Sequence, residues 1–546
     1  MKTSSQPLPK SPQGFYRSPD LTLVPLDARP VCYTLPLQLA NMAGLGLKCP
    51  PPEILGRLKQ PADEAALFLW FERTLNKNAR LKKISPEQLP SPVIAAMDTV
   101  AYGGLIPSRV GLETPEALKR RVNRFLSLLQ QKTLLLAFSS ILRIPAYDNN
   151  EEEPDYWADY GKALYDYSYA AHQTPDTAKA LEKTFPESVL ADFLTRRQRN
   201  YNLNQFYSGL LSQNKLDYLV FCQDDTGAYG LNVQEAQALK TVIDEKNLLN
   251  NAHVQTGADE VALCLMARCL SQWYVAAGFP ALKVWIEYTD LAAAQTIAKF
   301  DGLAIETVVK RAIATCGALL AEKAQDADVT LWVHTPPAGQ AQGDHCDASP
   351  PALQTQLQVD KLLSAFEAAF KKSHPVAVAD VAYANGADPL LVGALLDETE
   401  PDETQRLPNL SESLYGYAGW NTPGNTIGTV VATMIVRLLA ERNGTFDLTA
   451  FKKLLMVRFS DDGFYQAYAR REIRREYSPV EFPMGTLPEK ATALLNTLMQ
   501  ERTACLQKRL GLPVTDVRFC FPCDRTFEVA LAPQAGQPVL TESAYL

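Results

Sequence analysis

Histidine is scarce, with 5 residues in a chain of 546, and no HExxH sets two of them on one helix face. A zinc-protease reading loses its ligands with that motif. No Gly-x-Ser-x-Gly occurs, so the nucleophile elbow of serine esterases is missing. No Gly-Lys-Ser/Thr closes a phosphate loop and no GxGxxG follows an apolar run, which argues against a nucleotide cofactor. Excess basic charge is also missing. Lys+Arg is 53 and Asp+Glu is 61, for a net charge of −8. Nucleic acid and anionic membranes both call for a basic face, so neither is expected as a partner. No run of 18 or more apolar residues offers a membrane span, and no apolar stretch follows Met1 as a secretory signal would require. Short repeats and low-complexity blocks are absent.

The 10 cysteines are scattered and read as free thiols of a reducing compartment. Cys520 and Cys523 have CxxC spacing, but without a second pair or a nearby histidine they carry little metal or redox signal. A cytoplasmic location is the expectation. The chain is 47% hydrophobic, 9% aromatic and 21% charged, an ordinary globular composition with ample core material. It has 37 prolines and 28 glycines, which suggests many fixed loops between short elements. The length allows about three or four domains, or one large barrel with an appendage.

Residues 1–19 are polar and rich in Pro and Ser, and read as a disordered tail. Short apolar runs then alternate with helical periodicity. The runs are Leu21–Leu26, Val93–Met97, Leu134–Phe138, Tyr218–Cys222, Leu282–Ile286, Val329–His334, Val376–Ala379 and Leu414–Ala418. Apolar on both faces, they predict buried parallel strands. Between them, segments such as Pro115–Gln130, Val233–Lys246, Val261–Ala277, Thr307–Lys323 and Leu353–Lys372 have amphipathic helical spacing. The stretch Asp148–Asn204 reads as inserted helices. This order predicts an α/β protein: a (β/α)-barrel-like body over 20–430, with a mostly helical extension over 431–546. The extension holds one late strand candidate, Val517–Phe521. The alternative is two or three Rossmann-like α/β units with open sheets.

Polar residues gather where the apolar runs end. Asp27 and Arg29 follow the first, and Asp98, Tyr102 and Arg109 the second. Arg143 follows the third; Asp224, Asp225 and Tyr229 follow the fourth. Asp380, Asn385 and Asp388 follow the seventh, and Trp420, Asn421 and Asn425 the eighth. Parallel α/β folds bind ligands at this strand edge, so one mouth lined by all these groups is expected. The competing role for many of them is helix capping.

Asp224 and Asp225 are the sharpest feature. Adjacent carboxyls in a desolvated site push one pKa up, leaving one ionised group and one proton donor. Glycoside cleavage needs that division of labour. Asp259 and Glu260 form a second acidic pair, with helix-dipole placement as their other explanation. Arg29, Arg109 and Arg143 are candidates to clamp an anionic or hydroxyl-rich group. Trp420 offers a stacking face, and Asn421 and Asn425 offer hydroxyl partners. His253 and His334 are possible bases or ligands, or structural hydrogen-bonders.

Several segments taken together resemble a known family. They are Pro25–Pro30, Ala101–Leu105, Gln223–Asp225, Gly257–Val261, Ala384–Asp388, Ala418–Thr422 and Arg458–Asp462. This set is similar to the bacterial family catalogued as domain of unknown function 4127. The resemblance implies a bacterial protein and brings no established activity. The function expected from the residues is a carbohydrate-active hydrolase, a glycosidase with Asp224 or Asp225 as acid and Asp259 and Glu260 in reserve. No cofactor and no metal is expected for it, and the substrate is a small molecule, a sugar. Two alternatives stand beside it. One is a metal-dependent hydrolase or lyase of a small anionic metabolite, using Asp27, Asp98, Asp224 and His334. The other is a non-catalytic sugar- or metabolite-binding protein.

Overall fold

The computed structural model describes residues 14–16, 20–75, 91–345, 347, 355–396, 410–477, 487–523 and 525–532. Residues 1–13 and 17–19 of the expected tail, and the first two residues of the helix expected from Leu353, lie outside these. Phe15, inside the tail segment, is buried with its ring 5.1 Å from that of Tyr274.

The first half of the chain supplies β1 (Asp20–Val24), β2 (Gly46–Lys48), β3 (Val93–Ala96), β4 (Leu135–Ile141), β5 (Tyr218–Gln223) and β6 (Ala252–Thr256). They form one sheet in the order β2-β1-β3-β4-β5-β6, parallel throughout. Every residue of β4 and β5 is buried, because helices cover both faces. Alternate side chains therefore enter different cores. Leu136, Phe138, Val220 and Cys222 join one cluster; Leu135, Ala137, Leu219 and Phe221 join the other.

The second half supplies β7 (Lys283–Tyr288), β8 (Leu319–Leu320), β9 (Val329–His334), β10 (Gly343–Asp344), β11 (Val376–Asp380), β12 (Tyr383–Ala384) and β13 (Leu414–Ala418). Five of them make a second parallel sheet, β13-β11-β9-β7-β8, and β10 pairs with β12 beside it.

The α/β class is as expected, and its form is that of the open-sheet alternative. The first four expected strands fall in one sheet and the last four in the other. They do not close into one ring, because β1 is flanked by β2 and β3, and β7 by β8 and β9. Each sheet is doubly wound, with its order reversing beside its first strand, as in Rossmann-like units.

Two helices join the halves. Val261–Ala276 leaves β6 and packs against Pro423–Asn443, which follows β13. The second of these is long and apolar enough to cross a membrane by length and composition, and its apolar window is wholly buried inside the protein. Their close approach depends on Gly428, where a Cβ would collide with Glu260 Cγ. The boundary expected at 430 falls inside this helix. Beyond it the chain is mostly helical, through Leu448–Arg458, a π-helical stretch at Phe459–Ala469, Arg470–Glu476 and Glu489–Arg509. The strand expected at Val517–Phe521 appears as β14 (Phe519–Cys520), antiparallel to β15 (Ala530–Leu531).

Candidate functional site

The loops leaving β1, β3, β4, β5 and β6 all emerge at one edge of the first sheet, and acids and arginines interlock there. After β1, Arg29 bonds Asp27 through Nε at 2.8 Å and reaches Asp259, beyond β6, through both terminal nitrogens at 3.0 and 2.5 Å. After β3, Arg109 donates to Asp224 Oδ2 at 2.9 Å and to Glu152 Oε2 at 2.8 Å. After β4, Arg143 donates to Asp225 Oδ2 at 2.6 Å, Glu153 at 2.8 Å and Glu152 at 2.9 Å. Arg525, from the C-terminal segment, closes the group by pairing with Glu152 and Glu528. Each arginine is thus bound to carboxylates of the chain itself. A clamp on an anionic ligand would have to displace them.

Burial sets the protonation pattern. It raises the Asp224 carboxyl, with Asp259 adding to the rise while Arg109 and Arg143 oppose it. Asp225 is raised by burial and then by the charge of Asp224. The two keep side-chain exposures of 22% and 28%, so they are the open face of the cluster. Asp225 also lies in the left-handed region, with φ of 39°, a conformation uncommon outside glycine. Burial acts on Glu152 too, but Arg143, Arg525 and Arg109 hold it well below the usual range. The site thus sets carboxyls shifted upward, Asp224 and Asp225, beside one shifted downward, Glu152.

Behind this open face sit groups that solvent does not reach. Glu260 is buried, its Oε1 accepts from Gln255 Nε2 at 3.2 Å, and burial pushes it well above the usual range. Asp98 accepts from the Ser140 amide at 2.9 Å and is pushed up to about 6 by burial. Tyr102 is buried beneath the Arg199 guanidinium. Asp98 and Tyr102 therefore support the site from inside and do not line it. Tyr229 stands at the rim, exposed, four residues past Asp225.

The remaining expected residues gather at the edge of the second sheet. His334 Nε2 bonds Asp388 Oδ2 at 2.9 Å, and Asp380 Oδ2 accepts from the Asp388 amide at 2.7 Å. Burial alone would lower the His334 pKa, but the Asp388 hydrogen bond raises it. Asp380 is pushed up to about 7 by burial. Asp462 accepts from the Gly419 amide and from Arg458. Asn385 donates from its amide to Asn421 O at 2.7 Å and from Nδ2 to Asp344 at 3.0 Å. Asn425 is buried in the first turn of its helix, its amide bonded to the capping Thr422 hydroxyl. Trp420 is 2% exposed and packs against Phe527, so it has no free face for a sugar ring. His253 bonds Thr315 at 2.8 Å and Tyr218 at 3.2 Å, and burial pushes it down to about 4. It is a structural hydrogen-bonder on β6.

Of the four residues of the metal reading, Asp27, Asp98 and Asp224 follow strands of the first sheet, while His334 ends a strand of the second and bonds Asp388. Among the described residues, no three His, Cys, Asp or Glu side chains stand in a metal-holding arrangement. Cys520 and Cys523 are not joined in a disulfide.

The two edges meet at Asp301. Its Oδ2 accepts from the Gly424 amide at 2.7 Å; burial pushes it up to about 8, with Asp225 and Asp224 adding to the rise. The sequence reading missed Asp301, Glu152, Glu153 and Arg525, and took Arg458 and Asp462 as part of a family segment without giving them a place in a site. The Glu151–Glu153 run was the visible signal for two of them. The rest become neighbours only through the fold.

Two doubly wound parallel sheets, with an acid and arginine cluster at one carboxyl edge, define a Rossmann-like α/β protein. The chain belongs to the family described as protein of unknown function DUF4127, whose model matches residues 21–532. No curated protein and no solved structure matches it.

Proposed function

We propose that this protein is a carbohydrate-active hydrolase, a glycosidase that works at the Asp224–Asp225 edge of the first sheet. The observation that carries the reading is the arrangement of that pair. Two adjacent carboxyls, each tied to its own arginine, form the half-open face of an otherwise buried acid cluster. Burial raises both carboxyls, the charge of Asp224 adds to the rise of Asp225, and Arg109 and Arg143 oppose it; the reading assigns one of the pair as proton donor and the other as carboxylate. In this reading Asp225, with the more exposed side chain, donates the proton to the leaving oxygen. Asp224, as the carboxylate beside Arg109, orients the water that attacks the anomeric carbon as the glycosidic C–O bond breaks. Glu260 is buried behind them, its carboxyl pushed well above the usual range by burial, and does not reach the substrate. Asp259 neutralises Arg29. The arginines fix the carboxylates and leave hydroxyl recognition to the polar rim.

The test is turnover of chromogenic glycosides, N-acetylhexosaminides among them, by the parent and by Asp224→Asn and Asp225→Asn. Loss of a general acid costs about 10²–10⁴ in rate. The Asp225 variant keeps more activity on good leaving groups, which need no protonation. Full activity in both variants would remove the pair from the mechanism.

A further inference from the structure

The helix Trp157–Gln173, part of the insertion between β4 and β5, runs beside the acid pair and carries tyrosines along its length. Three features place them. Near its start, a Cβ at Gly161 would collide with the carbonyl of Tyr147, so the Arg143–Tyr147 loop lies on this turn. Tyr147 also accepts from Arg143 at 3.3 Å, next to Asp225. One turn on, Tyr165 Oη comes within 4.0 Å of a Cβ built at Gly227, two residues past Asp225. One turn further, the Tyr169 ring meets Tyr229 edge to face, with centroids 5.5 Å apart. Gly161, Tyr165 and Tyr169 follow i, i+4, i+8 spacing, so they share one helix face.

The loop from Asp225 to Leu231 is pinned along this helix. The Gly230 amide donates to His172 Nδ1 at 3.0 Å, and the Leu231 amide donates to Ser168 Oγ at 2.8 Å. From the other side, Gly302, with φ of 62°, packs so closely that a Cβ there would collide with the Gly227 carbonyl. The rings beside this fixed loop are left open: Tyr147, Tyr169 and Tyr229 are 48%, 44% and 40% exposed. Tyr169 and Tyr229, half-exposed and in ring contact, make a contiguous aromatic patch at the loop that carries Asp225, and a patch of this kind is suited to a ligand. Tyrosine suits a ligand with an apolar ring face and a hydroxyl edge. From Gly161 to Tyr169 the helix rises roughly 12 Å, which is more than one sugar ring needs.

We infer that Tyr147, Tyr165, Tyr169 and Tyr229 form an extended platform for an oligosaccharide, leading its chain away from Asp225. The inference rests on the carbohydrate reading and adds to it: the substrate is a chain of several sugars, not a simple glycoside.

Binding and turnover are tested separately. Calorimetry on the Asp225→Asn chain measures affinity for cellotetraose, maltotetraose and chitotetraose and for the matching monosaccharides. The platform predicts that at least one tetrasaccharide binds at least tenfold more tightly than its monosaccharide. Adding Tyr169→Ala weakens that tetrasaccharide about tenfold, a change of about 1.4 kcal/mol. Tyr169→Phe keeps the ring and so keeps the affinity. Thermal melts confirm that both variants stay folded. The inference is overturned if no tetrasaccharide binds, if length brings no gain, or if Tyr169→Ala changes nothing. It is also overturned if the Phe variant loses as much as the Ala variant. Glycoside turnover by the parent with no Tyr169 effect defeats the platform alone. Tetrasaccharide binding that needs Tyr169, without any turnover, defeats the hydrolase reading alone.

Discussion

Arg143 Nη1 stands 2.6 Å from Asp225 Oδ2, and the same guanidinium holds Glu153 and Glu152 through its other nitrogens. Of the three acids only Asp225 is more than one quarter exposed. Arg143 thus anchors an outward-facing carboxyl to the buried Glu153 and the partly buried Glu152.

That geometry cannot be met by a lysine, which offers a point charge in place of a planar fork. Arg143→Lys keeps the charge and should keep the fold, but it frees Asp225, so glycoside turnover should fall at least tenfold. Arg143→Ala leaves Glu152 to Arg109 and Arg525 and Glu153 to Arg109 alone, so it should lower stability by less than the roughly 3–5 kcal/mol of a buried charge left without a partner. Chemical denaturation separates the two effects. Equal activity in parent and Lys variant would mean that the clamp does not position Asp225.

Asp301 gives a prediction with a definite sign. Its carboxyl is pushed from 3.8 to about 8 by burial, with the Asp225 and Asp224 charges adding to the rise. Between about pH 4 and about 8 the folded chain therefore keeps a proton that the unfolded chain has lost. Stability must fall as pH rises through that window, by about 1.4 kcal/mol per pH unit for one proton. Asp301→Asn keeps an acceptor for the Gly424 amide and removes the titration. The stability of the variant relative to the parent should rise across the window when unfolding is measured at several pH values. A difference that stays flat would show Asp301 already ionised in the fold.

Trp420 tests the division between site and core. It is buried against Phe527, whose ring also carries the Arg525 and Arg470 guanidinium groups. Trp420→Ala should cost about 3–5 kcal/mol, as large aromatic truncations in cores do. Trp420→Phe should retain most of the stability and leave sugar affinity unchanged. A selective loss of sugar binding in the Phe variant would return Trp420 to the site.

The main strands were legible because parallel strands buried on both faces read as unbroken apolar runs. β6 was not: its Ala-His-Val-Gln-Thr is half polar, and His253 and Gln255 are satisfied by Thr315 across the helix that packs there. β2 and β8, at three and two residues, are too short to show a period. Those two strands decide that both sheets stay open, so ring and open sheet could not be separated from the sequence. At the site, the Asp pair, the second acidic pair and the three arginines could be read from strand-end positions. Their partners could not. Arg525 lies 373 residues from Glu152, and no local pattern links them. Trp420 looked available in its glycine-rich segment because Phe527, which covers it, comes from the far end of the chain.

The central claim is acid catalysis by the Asp224–Asp225 pair, and one measurement addresses it most directly. The rate of glycoside cleavage is followed for the parent and the two Asn variants across aryl leaving groups of graded acidity. The account predicts turnover by the parent, and a loss of about 10²–10⁴ in Asp225→Asn that shrinks as the leaving group becomes more acidic. It predicts a loss in Asp224→Asn that does not depend on the leaving group. No turnover of any glycoside by the parent, or undiminished turnover by both variants, would contradict it.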